Sequence, residues 1–452
     1  MARTWLVLLS VIALAVAACA GPGESPSPGA PTQAPGESPT EPPAGSPIDS
    51  PGESPTESPG ESPGESPGMS PDTSIEGNLR LAGWSAGNVE DEILQGVLDS
   101  FQERYPNVTV EFEIIAGEYP AVMSARLGSG DAPDLFYVNQ SFAQDWIDQG
   151  LLMALDDMAT QAGFGLDAFY PNFLGPFQRD GQTYAFPKDS SMLGMQTNDQ
   201  MLTDAGVDIP TTTDELVAAA QAVKDAGIVE TPMCFAAEWQ RAGAFVHGFG
   251  GGMVDDAGAP TIDSPESLAG IQWYLDQYAN DLASTPADLG DGWCGEAFGR
   301  GHVAFAFEGN WIGPALETDF PDVTYTVSAV PAGPVEQATL SFTVGYGMHP
   351  NTPNPEASWA LLAYLTGQEG MQEWVDGGLV LPARTDVEPT SERQMQYAAF
   401  AEFAHPGEGV TPQWPQVGTA FNGALGGEAT GGGSAQAVVD ATKPVLDEVT
   451  AQ

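Results

Sequence analysis

Basic residues are scarce in this chain. Against 62 Asp and Glu its 452 residues include only 12 Lys and Arg, a formal net charge of −50. A phosphate backbone or an anionic lipid surface needs clustered cations, so a nucleic-acid binder is excluded and docking on an anionic membrane is argued against. Histidine is equally thin. His247, His302, His349 and His405 are scattered without metal-ligand spacing, and no metal is expected. The Gly-rich stretch from Gly248 to Gly252 lacks both the dinucleotide and the Walker pattern, so no phosphate cradle and no cofactor are expected. Acidic residues are so numerous that no pair stands out as a glycosidase dyad. Cysteine is limited to Cys19, Cys234 and Cys294. After the first residues no apolar run is long enough to span a bilayer.

What is present begins with a targeting segment. Arg3 supplies a positive charge, and Trp5 to Ala17 is apolar apart from Ser10, which suits a signal-peptide core. Val16-Ala17-Ala18-Cys19 resembles a bacterial lipobox. That resemblance implies cleavage after residue 18, lipidation of Cys19, and anchoring to the outer face of the cell membrane by that lipid. Residues 19–76 then form a spacer in which Pro-Gly-Glu-Ser-Pro recurs from Pro22, Pro35, Pro51, Pro59 and Pro63. With almost no large apolar side chain, nothing offsets the entropy of ordering it. A flexible coil of this length spans on the order of 40 Å, and extended polyproline II roughly 160 Å. In an exported protein Cys234 and Cys294 either form a bridge or lie apart as two buried thiols.

Residues 77–452 are too many for one core and fit two domains. Leu79 to Leu81, Val108 to Ile114 and Asp134 to Val138 read as strands, separated by apolar-faced helices, a parallel α/β pattern. Thr212 and Glu215 have capping-box spacing ahead of a helix. The run Val303 to Phe307 has no charge and reads as a strand buried on both faces. It stops at Glu308-Gly309 and delivers Asn310 and Trp311 at its carboxyl end, where ligands of open α/β sheets sit. Trp311 is thus either a ligand platform or a core residue. Other strand ends carry similar side chains: Trp84-Ser85, Asn139-Gln140, Asp189-Ser190-Ser191, Glu238-Trp239 and Gly345-Tyr346. Such aromatics suit the C–H face of a pyranose, while amides and carboxylates suit its hydroxyls.

The order of several motifs resembles extracellular solute-binding protein family 1, the maltose- and multiple-sugar-binding lipoproteins of ABC importers. Its carriers are Phe101-Gln102-Glu103-Arg104-Tyr105-Pro106, Gly130-Asp131-Ala132-Pro133-Asp134-Leu135-Phe136, Gly150-Leu151-Leu152 and Gly181 to Pro187. Asp214-Glu215-Leu216, Phe298 to Ala304 with Gly309-Asn310-Trp311, and Leu381-Pro382-Ala383-Arg384 complete it. Two positions depart: Thr213 stands where the family often has Trp, and Thr197-Asn198 replaces Tyr-Asn. The resemblance implies two hinged α/β lobes of the periplasmic-binding-protein fold, each a mostly parallel sheet flanked by helices. Lobe I is expected over 77–188 plus 341–385, and lobe II over 189–340 plus 386–452. A carbohydrate would bind between them at Trp84, Ser85, Asn139, Gln140, Asp189, Ser191, Glu238, Trp239, Asn310, Trp311 and Tyr346. Phe421 takes the place of a family stacking aromatic, with Trp414 beside it. The implied protein is a monomeric, non-enzymatic receptor that delivers a di- or oligosaccharide to ABC permease subunits. A surface carbohydrate-active enzyme and a transporter-independent sugar sensor are the alternatives.

Overall fold

The computed structural model describes residues 73–85, 88–117, 119–255, 257–431 and 433–451. The expected signal segment, the Pro-Gly-Glu-Ser spacer and Cys19 lie outside the described residues.

From Gly77 the chain alternates strand and helix. β1 (Gly77–Gly83) runs parallel to both β2 (Val108–Ile114) and β3 (Leu135–Asn139), with the helices Asn88–Arg104 and Tyr119–Ser129 as crossovers. Leu79, Leu81 and Ala82 on β1 and Leu135 to Val138 on β3 are buried, as expected of strands covered on both faces. A small hairpin pairs β4 (Gln178–Arg179) with β5 (Gln182–Thr183), and its turn residues Asp180 and Gly181 both have positive φ. β6 (Ala185–Pro187) follows.

The chain then builds a second sheet from β7 (Ser191–Asn198), β8 (Met233–Cys234), β9 (Ala283–Ser284), β10 (Phe305–Gly309), β11 (Tyr325–Ser328) and β12 (Thr339–Phe342). It returns to the first sheet as β13 (Val344–Met348), antiparallel to β3 and β6, and ends the second sheet with β14 (Ala404–Pro406). The orders are β2-β1-β3-β13-β6 and β14-β12-β7-β10-β8-β9, with β11 also on β7. Of the run expected from Val303 to Phe307, Phe305 to Phe307 lie in β10, which continues through Glu308 and Gly309, is buried at every residue and is central in its sheet between β7 and β8.

Two large apolar cores accompany the two sheets, and a smaller third gathers Phe298, Val303, Ile312 and Leu316 around Cys234 and Cys294. The first is filled by Leu81, Phe136, Phe186 and the helix Pro355–Thr366, whose Leu361 and Leu362 are fully enclosed. Each such leucine contributes about 1.5–3 kcal/mol. The second gathers Phe235, Phe245, Tyr274 and Phe307, with Phe235 stacked on Tyr274 at a centroid distance of 4.3 Å. Cys234 and Cys294 are disulfide-bonded, tying β8 to the helix Cys294–Gly299, with Cα atoms 5.5 Å apart. Thr212 caps the helix Thr213–Asp225 by accepting from the Glu215 N–H, and the Glu215 carboxylate reaches back to accept from the Thr211 N–H and hydroxyl.

The chain passes between the sheets at Lys188–Ser190, at Thr343, and through the segment after Leu379. Ser190 and Leu381 exchange backbone hydrogen bonds there. β12 keeps Ser341 and Phe342 in the second sheet, so the middle crossing falls at Thr343 rather than at the expected boundary before Ser341.

Candidate functional site

β10 carries Glu308 and Gly309 at its end, and Asn310 and Trp311 follow before the helix Ile312–Asp319. The Gln196 side chain clamps the Glu308 backbone, accepting its N–H and donating to its carbonyl, both at 2.9 Å. The Glu308 carboxylate is 1% exposed and accepts from Trp311 Nε1 at 2.9 Å and from Arg241 at 2.6 Å. Arg241 also pairs with Glu238 at 3.2 Å, and its guanidinium carbon lies 5.6 Å from the Trp311 ring centroid. A Cβ at residue 309 would lie 2.2 Å from the indole, so only glycine leaves room for this ring position. Trp311 stays half-buried, edge-on to Phe342 at 5.6 Å. Burial pushes Glu308 up against the pull of Arg241; for Arg241 the two carboxylates outweigh burial and hold it above its usual range.

A second ionic cluster sits at the first crossing. Lys188 Nζ pairs with Asp189 at 2.5 Å and Glu90 at 3.3 Å, and lies 4.5 Å from the Trp374 ring centroid and 5.2 Å from that of Tyr137. Burial alone would lower Lys188, but Asp189 and Glu90 outweigh it and keep the ammonium charged. Trp374 Nε1 donates to the same Asp189 carboxylate at 3.2 Å. Trp84, at the end of β1, packs edge-on against Tyr119 and Tyr137, with centroids 4.9 and 5.0 Å away. Ser85 is exposed and donates to Asp91.

The expected ligand residues divide into two groups. Trp84, Ser85, Asn139, Ser191, Glu238 and Trp311 keep exposed surface, although Asn139 also caps its helix by accepting from the Ser141 N–H. The others are buried and already engaged. Gln140 bonds the Thr343 N–H and the carbonyls of Ser341 and Glu408. Asn310 accepts from Met192 N and donates to Leu379 O. Asp189 holds Lys188, and Tyr346 packs on Tyr137 at 5.5 Å.

Trp239, Trp414 and Phe421 require correction as stacking residues, because all three are enclosed in the second core. Trp239 opens the helix Trp239–Gly248, and its indole lies back along that helix over Gly243. It meets Phe421 at 5.4 Å, Trp414 at 6.4 Å and His247 at 5.7 Å. His247 in turn stacks on His405 with centroids 3.9 Å apart.

Sequence reasoning missed Arg241, Glu308, Glu90, Trp374, Gln240 and Glu408. Gln240 donates to Glu408 at 2.7 Å, and burial pushes the Glu408 carboxyl up. In a chain so poor in cations, Lys188 and Arg241 were the signal available, since each had to be somewhere particular. Two cavities can be compared with these residues. One of about 70 Å³ lies by Tyr170, Leu381 and Val387; one of about 420 Å³ lies between Gln144, Pro171, Pro176, Pro406, Gly409 and Pro412. Neither is lined by an expected ligand residue.

The two-lobed topology and the β10 end together point to one family. Residues 86–372 match the model of the bacterial extracellular solute-binding protein. The chain belongs to this family. A putative binding protein of Brucella abortus is 24% identical over 374 residues, covering 76% of this chain and 86% of the relative. The multiple sugar-binding protein of Streptococcus mutans is 21% identical over 311 residues, covering 63% of this chain and 70% of the relative. The GacH receptor of Streptomyces glaucescens, solved unliganded and with acarbose, superposes with a TM-score of 0.74 at 22% identity, covering 84% of this chain and 99% of that one. The solute-binding protein described here therefore has the two-lobed periplasmic-binding-protein fold.

Proposed function

We propose that this solute-binding protein is an extracellular carbohydrate receptor, anchored through Cys19, that hands a di- or oligosaccharide to an ABC-type permease. The observation that carries the reading is Trp311, half-buried at the end of a central strand with a carboxylate, an arginine and Glu238 beside it. An indole face offers apolar contact to a pyranose, and the exposed Glu238 carboxylate would accept from its hydroxyls. Trp84, Ser85 and Asn139 would supply the opposing wall from the first lobe, and Ser191 and Glu238 would contact hydroxyls. The sugars named for the S. mutans relative and for GacH support the same class of ligand. The protein acts as a monomeric receptor that releases its ligand unchanged.

Isothermal titration across mono-, di- and oligosaccharides tests this reading. One-to-one binding of an unmodified sugar is expected, lost in Trp311→Ala. Binding of none of the panel, or turnover of the sugar, would sink it. Membrane retention is tested separately: Cys19→Ala should release the protein into the soluble fraction, and a mutant that stays anchored would refute lipidation at that residue.

A further inference from the structure

We infer that Glu308 is a positioning residue for Trp311, and that Arg241 joins it to Glu238 in one relay; the inference rests on the carbohydrate-receptor reading for its functional consequence. Three observations converge. The Trp311 indole N–H is spent on Glu308 Oε2 at 2.9 Å. That same oxygen accepts from Arg241 at 2.6 Å, and the other end of the guanidinium holds Glu238 at 3.2 Å. The Glu308 backbone is itself fixed by Gln196, whose amide also bonds the Tyr397 hydroxyl at 2.7 Å. The indole therefore hangs from a buried carboxylate that cannot shift without breaking the ion pair or the strand.

The arrangement constrains what can bind. With its N–H occupied, Trp311 has no edge donor to offer a ligand oxygen. It contributes a ring face only, so its partner must present an apolar surface such as the C–H face of a pyranose. Polar recognition falls to Glu238, whose side chain remains 37% exposed and whose placement Arg241 sets. Stacking and hydroxyl recognition are thus coupled through one guanidinium. Arg241 Nε is buried without a hydrogen-bond partner among the described residues, leaving the guanidinium tied only through its terminal nitrogens.

The test is a cycle of Glu308→Leu, Trp311→Phe and the double variant, with Glu308→Gln as the conservative replacement that can still accept from the indole. The ligand-free proteins are compared first by ultraviolet resonance Raman, in the band sensitive to indole N–H hydrogen bonding, with the Trp311 contribution taken as the difference from Trp311→Phe. Glu308→Leu should shift that band and Glu308→Gln should largely restore it. An unshifted band in a folded Glu308→Leu overturns the proposal, as does one in Glu308→Ala if the leucine variant fails to fold. Maltose affinity is then measured by calorimetry. Glu308→Leu should weaken binding on the order of tenfold in the Trp311 background and far less in the Trp311→Phe background. An equal loss in both backgrounds would show that Glu308 acts through something other than Trp311. If the wild type binds no sugar, the receptor reading fails while the ligand-free spectrum still decides the role of Glu308.

Discussion

Gln140 accepts the backbone N–H of Thr343 at 3.1 Å, joining the end of β3 to the middle crossing between the two sheets. Its amide nitrogen faces the carbonyls of Ser341 in β12 and of Glu408 just after β14 at 3.4 Å, so one side chain ties the end of β3 to two segments of the second lobe. A residue expected at a strand end as a ligand contact is thereby used to hold the middle crossing. Gln140→Ala would leave a buried N–H unsatisfied, at a cost of about 1–3 kcal/mol. Urea unfolding should show a lowered midpoint with unchanged slope. A midpoint equal to that of the wild type would return Gln140 to the list of ligand contacts.

Trp414 should behave as core. It lies 2% exposed beside Trp239, Val417 and Phe421, and Trp414→Ala removes a full indole from that cluster at about 3–5 kcal/mol. Sugar affinity of the folded fraction should stay close to that of the wild type. A stable variant with lost affinity would place its ring on the ligand instead.

The extent to which this chain is legible differs between fold and site. β3 and β10 follow from apolar runs whose burial on both faces leaves a short unbroken signature, whereas β2, at the sheet edge, follows from the alternation of Val108, Val110, Phe112 and Ile114. The site is less legible because strand-end position does not set ring direction. Glu238-Trp239 and Asn310-Trp311 look alike as sequence. Trp239 nevertheless starts a helix and folds back over Gly243, whereas Trp311 is caught by Glu308 across a glycine. The ion pairs Arg241–Glu308 and Lys188–Glu90 join residues far apart in the chain, and no local pattern announces them.

The Cys234–Cys294 bridge closes a loop with a sequence separation of 60. Loop-closure entropy of that size contributes ~4 kcal/mol in the chain-entropy model. Replacing both cysteines by alanine should lower the unfolding free energy by a comparable amount. Thiol titration of the denatured, unreduced wild type should find neither sulfur reactive. Two free thiols would contradict the bridge.

Acid should weaken the second lobe through His247. Burial first, and His405 second, hold its pKa down to about 3 against an ordinary 6.5. Between those values the unfolded chain binds a proton that the folded chain refuses, so stability rises with pH across the window and is lost as pH falls through it. His405 also lies 3.3 Å from Glu336, which faces the stack from the loop before β12. Urea midpoints at about pH 4.5 and about pH 7 should differ less in His247→Gln than in the wild type. Equal differences would show that the acid sensitivity arises elsewhere.

β6 reaches its sheet only through β13, and six of the seven strands of the second sheet are encoded between those two strands. As the chain emerges, Ala185–Pro187 has no strand to pair with until Val344–Met348 arrives. The first lobe is thus completed after most of the second, despite being encoded first. Such non-local pairing delays the return on loop-closure entropy and slows folding. It also leaves an open edge on β3 in the interim, the kind of surface on which partly folded chains associate. Because the second core also draws on Trp414, Val417, Phe421, Val438 and Leu446, truncation before residue 348 would leave both lobes incomplete.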